Sequence, residues 1–329
     1  MKILEHRDWL KVAIPTIIAI LLLAYIVVDY VTAPETGMIP PNIQHMNKYE
    51  YPYRVGEEYN ELGDGGEFVN LMEEDWDVLI LLDAARYDKF RDTYKPYLEG
   101  DLQPAIAPST CTIEWLNKVF PNVYDNVTYI SSNPYVNKGE TENYNAGLGY
   151  IAKNHFSEIR EVWLTGYDES LGSIPPDEIT NAFLEEVKKK PNTRYILHYM
   201  QPHYPYIGEK HRPPAEDRQR SKLGRFIEDE LGNSIFWFVA RIYHYNRKIP
   251  EEKIVEEKGI DGLHRAYTEN LEVALESISH IPEEYDGKIL ITADHGEFLG
   301  EYEIYRHSCS LFGVKENTEV PWMKVNFDG

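Results

Sequence analysis

The sequence predicts an α/β domain built on a mainly parallel sheet with helices on both faces, preceded by one N-terminal transmembrane helix. Three observations carry this. Residues 78–83 and 289–293 are apolar or β-branched up to a terminal carboxylate, Asp83 in one case and the adjoining Asp294 in the other, as in strands buried on both faces. Helix-compatible runs alternate with such strands, the order that crossover connections produce. Residues 12–28 are uncharged throughout, and the run reaches Val31 when Asp29 lies at the interface, which is long enough to span a bilayer.

In chain order, Lys2, Arg7 and Lys11 precede the apolar run and the next basic residue is Lys48, so the positive-inside rule places the N-terminus in the cytoplasm and the rest outside. A cleaved leader fits less well, because the small-residue site at Val31-Thr32-Ala33 is followed by Pro34. The division expected is therefore a cytoplasmic segment 1–11, an anchor 12–31, a Pro- and Gly-rich linker 32–66 and one folded domain 67–329. Within the domain, strands are expected near 77–83, 126–131, 161–165, 193–199 and 288–293. Helices are expected near 110–119, 177–190, 262–280 and within 223–245, with 84–90 helix-compatible. The 329 residues carry 55 acidic against 33 basic side chains, a formal charge of −22, so a nucleic-acid backbone would be repelled and is excluded as a partner. Two cysteines, Cys111 and Cys309, exclude a disulfide-rich scaffold and a four-cysteine zinc site.

A parallel sheet brings its strand ends to one edge, where α/β folds bind their ligands. Asp83, Asp294 and His295 then share that edge as candidate ligands of one divalent metal ion. Their mixed oxygen and nitrogen donors favour zinc or manganese, with magnesium or calcium as hard-ion alternatives. Between the two strands lies Ser109-Thr110-Cys111-Thr112 at the start of an expected helix, whose N-terminus favours a developing alkoxide. Taken alone, each piece has a plainer explanation: Asp294 as a helix cap, and Ser109 and Thr110 as the usual capping residues.

Taken together, Val78-Leu79-Ile80-Leu81-Leu82-Asp83-Ala84-Ala85-Arg86, then Ser109 to Thr112, then Thr292-Ala293-Asp294-His295-Gly296-Glu297 and Glu301 occur in the order seen in one family. The chain resembles the sulfatase-like branch of the alkaline phosphatase superfamily over residues 77–325, including a closing strand with Val320-Pro321. The resemblance implies that Asp83, Thr110, Asp294 and His295 hold one divalent ion and that Thr110 is the nucleophile, with Ser109 and then Thr112 as its rivals. It also implies that His203 and His307 hold the transferring group or protonate the leaving oxygen, with Arg86 and Ser109 among the substrate contacts. True sulfatases carry a Cys-x-Pro-Ser-Arg signature, whereas Cys111 here precedes Thr112-Ile113-Glu114, so the chain looks more like the Ser/Thr-nucleophile relatives such as lipoteichoic acid synthases and phosphoethanolamine transferases. The function implied is a membrane-anchored, metal-dependent phosphoester hydrolase or transferase acting on a surface glycan or lipid head group. The alternatives are a sulfate-ester hydrolase without formylglycine and a catalytically inactive tethered binding protein. Cys111 and Cys309 are expected near one pocket, bridged or as two unpaired small residues.

Overall fold

The structure, a computed structural model, describes residues 53–56, 66–138, 150–212, 249–309 and 314–327. The expected membrane helix over 12–31, most of the linker and the helix expected within 223–245 lie outside the described residues. Among the described residues no helix is long and apolar enough to cross a membrane.

The strands are Tyr53–Val55 (β1), Glu67–Val69 (β2), Val78–Asp83 (β3), Asp101–Ile106 (β4), Tyr124–Ser131 (β5), Phe156–Glu161 (β6), Arg194–Pro202 (β7), Ile289–Ala293 (β8), Phe298–Leu299 (β9), Tyr305–Arg306 (β10) and Glu319–Val325 (β11). Nine of them form one sheet in the order β2-β1-β4-β11-β8-β3-β7-β5-β6, and β9 pairs with β10 separately. From β8 to β6 the neighbours are parallel, and from β2 to the β11–β8 pair they are antiparallel. The expected mainly parallel sheet is therefore corrected to a mixed one. Of its antiparallel flank only β11 was expected, as the closing strand; the rest escaped because β1 and β2 are three residues each and β4 carries Pro104 in its middle. A second difference concerns residues 161–165: the strand there is 156–161, and Val162–Thr165 forms one helical turn stopped at Gly166.

The helices that position the site are Tyr87–Thr93 (α1) and Thr112–Val119 (α2), and, after the turn at Val162–Thr165 (α3), Pro176–Lys189 (α4) and Pro250–Glu284 (α5). Alternate side chains of β7 sort them onto two faces. Tyr195 meets Phe183 of α4, and Tyr199 shares a 2.8 Å hydrogen bond with Thr180 of the same helix. On the opposite face His198 bonds Tyr129, whose ring packs edge-on against Phe120 at the end of α2. The helix expected near 262–280 is longer at its N-terminal end: α5 begins at Pro250, and its two helical segments meet at a kink where Gly259 leaves helical geometry at φ 71°.

β3 lies between β8 and β7, with Leu82 opposite both Ala293 and Tyr199. One residue further, the register sets Asp83 beside Asp294. Two backbone features shape this corner. Ala84 follows Asp83 in the left-handed region at φ 62°, a conformation that costs a non-glycine residue about 1 kcal/mol, and it turns its N–H onto Asp294 Oδ1 at 3.1 Å. Gly296 is required by close approach: a Cβ there would lie 2.3 Å from the carbonyl oxygen of Glu316.

Candidate metal centre and nucleophile helix

The C-terminal edge of β3 and β8 brings Asp83, Asp294 and His295 together, all three buried, with one ligand atom of each within 4.8 Å of the others. Their hydrogen bonds show how they are aimed. His295 Nδ1 faces the carbonyl of Gly296 at 2.9 Å, and since a carbonyl only accepts, Nδ1 carries the proton. Nε2 is then a lone pair, and it lies 3.4 Å from Asp294 Oδ2 and 3.9 Å from Asp83 Oδ1. A lone pair aimed between two carboxylate oxygens is repelled by both unless a cation lies among them. Among the described residues Asp83 Oδ1 has no hydrogen-bond partner, while Oδ2 accepts from Asn133 Nδ2 at 2.7 Å. Burial first, then the nearby charges of Asp294 and Glu297, push the Asp83 carboxyl well above the ordinary carboxylate range. The donor set, the orphaned oxygen and the crowded negative charge all fit one divalent cation held by Asp83, Asp294 and His295.

The hydroxyl that reaches this cluster belongs to Thr112. It donates to Asp294 Oδ2 at 2.6 Å and lies 3.4 Å from His295 Nε2. Thr110, expected in that place, instead donates to the carbonyl of Ser308 at 2.8 Å, and Ser109 donates to Glu114 Oε2 at 3.0 Å. The reason is the helix start: Cys111 is the extended N-cap, so Thr112 is the first residue with helical geometry and its side chain sits over the N-terminus of α2. Cys111 is also fixed from outside. It forms a disulfide with Cys309, with Cα atoms 5.0 Å apart, so the bridged alternative holds and ties the start of α2 to the loop after His307.

A second cluster adjoins the first. His203, Glu297 and His307 come together, and the His307 ring lies 4.1 Å from that of His295 and 5.1 Å from that of His203. His307 Nδ1 bonds Glu297 Oε1 at 3.0 Å, and Glu297 Oε2 is buried without a hydrogen-bond partner among the described residues. Burial by itself would raise the Glu297 carboxyl, but the hydrogen bond from His307 outweighs it and holds the carboxyl below the ordinary value. His203 Nδ1 bonds the carbonyl of Tyr204, and burial pushes its imidazole down to about 4, so it is neutral near pH 7.

Arg86, expected among the substrate contacts, is turned elsewhere. Its guanidinium bonds both oxygens of Asp88 at 2.9 Å, Glu301 Oε1 at 2.6 Å and the Glu297 carbonyl at 3.2 Å. That arrangement ties the segment after β8 to the start of α1 and leaves Arg86 buried. Residues that the sequence reading did not single out are Asn133, on the turn after β5, and Glu297, which stands inside the Asp294-His295-Gly296-Glu297 motif and was readable from it.

No protein-family model and no curated protein matches the chain. Among solved structures, the chain is similar to the soluble domain of lipooligosaccharide phosphoethanolamine transferase A from Neisseria meningitidis, at 13% identity over 76% of this chain and 77% of that one, with a TM-score of 0.44. It is similar to the C-terminal periplasmic domain of EcEptC from Escherichia coli in complex with Zn, at 11% identity over 79% and 76% of the two chains and a TM-score of 0.43. The phosphonate monoester hydrolase of Agrobacterium radiobacter is similar at 12% identity, over 76% and 68%, with a TM-score of 0.42. The first of these is of the kind that the sequence resemblance named.

Proposed function

We infer that this chain is a metal-dependent phosphoester hydrolase or transferase whose nucleophile is Thr112. The observation that carries the reading is the 2.6 Å bond from the Thr112 hydroxyl to Asp294, made at a helix N-terminus inside the cluster of Asp83, Asp294 and His295. When bound there, a zinc- or manganese-type ion supplies Lewis acidity at the substrate oxygen and favours the alkoxide form of a nearby hydroxyl. The protein's own groups do the rest. Asp294 receives the hydroxyl hydrogen bond and orients Thr112 Oγ1 for attack on phosphorus. The N-terminal amides of α2 stabilise negative charge as it develops. Neutral His203 and the Glu297–His307 pair face the group being transferred, and His307, oriented through Nδ1 by Glu297, exchanges a proton with the leaving oxygen. Attack forms the bond from Thr112 Oγ1 to phosphorus as the hydroxyl proton passes to Asp294, and breaks the bond from phosphorus to the leaving oxygen, which takes a proton from His307. Water or a second hydroxyl then takes the phosphoryl group, its proton passing to His307, and Thr112 Oγ1 regains its proton from Asp294.

The first test is turnover of a chromogenic phosphodiester by the purified domain before and after chelation. The expected result is loss on chelation, recovery with zinc or manganese, and no comparable turnover of the matching sulfate ester. Turnover indifferent to chelation would remove the metal from the reading. Stoichiometric metal with no phosphoester turnover would instead favour the inactive binding protein.

The same reading keeps the domain on the outer side of a membrane, tethered by residues 12–31, with a surface glycan or lipid head group as the phosphoester. An oxidising compartment suits the Cys111–Cys309 bridge. Alkylation trapping in intact cells should find both thiols oxidised, and reduced thiols would place the domain in the cytoplasm. Because the bridged residues are 198 apart in sequence, reduction should lower the stability of the isolated domain by about 2–5 kcal/mol.

A further inference from the structure

His203 stands at the end of β7 on a turn with little regular structure of its own, so something else must fix its place. The structure shows what does. Asn270 of α5 is fully buried beneath that turn. Its Oδ1 accepts the N–H of Ile207 at 2.9 Å, and its Nδ2 donates to the carbonyls of Pro202 at 3.0 Å and His203 at 3.1 Å, with the Pro205 carbonyl at 3.4 Å. One planar amide thus closes the turn from inside, and only one orientation of it works, with nitrogen toward the carbonyls and oxygen toward the N–H. From the other side the His203 N–H bonds the Asp83 carbonyl at 3.1 Å, which ties the turn to the metal corner.

Three residues earlier, on the same face of α5, Tyr267 grips that corner itself. Its hydroxyl donates to the Ala84 carbonyl at 2.7 Å and accepts the Arg86 N–H at 3.0 Å. A single helical turn therefore holds both the backbone behind Asp83 and the backbone that carries His203. Glu269 extends the grip, accepting the backbone N–H groups of Lys210 and His211 at 2.7 and 2.8 Å.

We propose that Asn270 is a positioning residue of the reaction: by clamping the 202–207 turn to α5 it sets His203 at a fixed distance from the metal corner that Tyr267 holds. The proposal rests on the reading of His203 as a group that contacts the phosphoryl being transferred. An aspartate at 270 is a sharp probe, since it keeps the shape and the acceptor for Ile207 but turns an oxygen toward three carbonyl oxygens, so the donor half of the clamp is lost and replaced by repulsion.

The experiment compares the metal-loaded wild type with Asn270→Asp, His203→Ala and the double variant. Hydrogen exchange of the 202–207 segment should accelerate at least tenfold in Asn270→Asp while β3 and β8 keep their protection. Its kcat on the phosphodiester should fall at least tenfold with KM moved less than threefold, and Asn270→Asp should cause no further loss once His203 is alanine. Should Asn270→Asp not accumulate as folded protein, Asn270→Ser, which keeps one hydroxyl donor and acceptor, is read in the same way. Unchanged exchange at 202–207, or losses that multiply in the double variant, would overturn the proposal. A His203→Ala variant with wild-type turnover would overturn the functional reading of His203 and the positioning role with it, and the exchange measurement would still report separately whether the clamp exists.

Discussion

Thr112→Ala should lower phosphodiester turnover by about a thousandfold or more, the scale on which losing a nucleophile is felt, whereas Thr110→Ala should stay within a few fold of wild type. The two threonines are two residues apart and chemically identical, so the comparison isolates geometry. Thr112 Oγ1 is 2.6 Å from Asp294 and 3.4 Å from His295, and Thr110 Oγ1 is bonded to the Ser308 carbonyl. Each alanine removes one buried hydrogen bond, so each should cost about 1–2 kcal/mol of stability, and that similarity makes a difference in turnover readable. Steady-state kinetics with a thermal melt on each variant decides it. Loss in Thr110→Ala with retention in Thr112→Ala would move the nucleophile back to the place the family resemblance suggested.

The two-residue offset between Thr110, which the resemblance pointed to, and Thr112, whose hydroxyl reaches the acidic cluster, shows where the sequence stopped being legible. The strands that build the site could be read because β3 and β8 are wholly buried, and burial on both faces leaves an unbroken apolar run. Their terminal acids followed directly, and with them the buried cluster of Asp83, Asp294 and His295 that the structure brings together. The hydroxyl could not be fixed in the same way. Ser109, Thr110 and Thr112 all suit a helix start, and which of them lies over the helix end depends on where the backbone turns, set here by the extended Cys111 and its bridge across to Cys309. Arg86 was expected among the substrate contacts by the resemblance, and its bonds to Asp88 and Glu301 could not be read from sequence because they depend on a packing that includes a residue 215 positions away. Asn133 and Asn270 left no pattern because their roles are tertiary: each satisfies groups on another element, with nothing periodic near it in sequence. β1 and β2 were hidden for a related reason, since strands of three residues at a sheet margin need little apolar surface of their own.

Asp83→Asn should weaken metal binding by about a hundredfold or more, and at the same time leave the metal-free protein as stable as the wild type or more so. Both effects follow from one arrangement. Asp83 shares a buried space with Asp294 and Glu297, and burial together with those two charges raises its carboxyl well above the ordinary value. A group whose folded pKa is raised contributes stability below its unfolded pKa and loses it as pH rises through the folded value, so the metal-free wild type is weakened toward neutral pH by its own ligand. Asparagine removes that charge, and its amide oxygen still accepts from Asn133 Nδ2, the bond that Asp83 Oδ2 receives at 2.7 Å. The metal-loaded comparison runs the other way. An ion present at a hundred times its dissociation constant adds about 2.7 kcal/mol, and the variant forfeits most of this at the same ion concentration. Melting both proteins with a chelator and with saturating zinc or manganese should therefore give curves that cross in order: variant at or above wild type without metal, wild type above variant with it. An apo variant well below the apo wild type would show that Asp83 serves the fold, and equal metal-induced shifts in the two proteins would remove Asp83 from the ion.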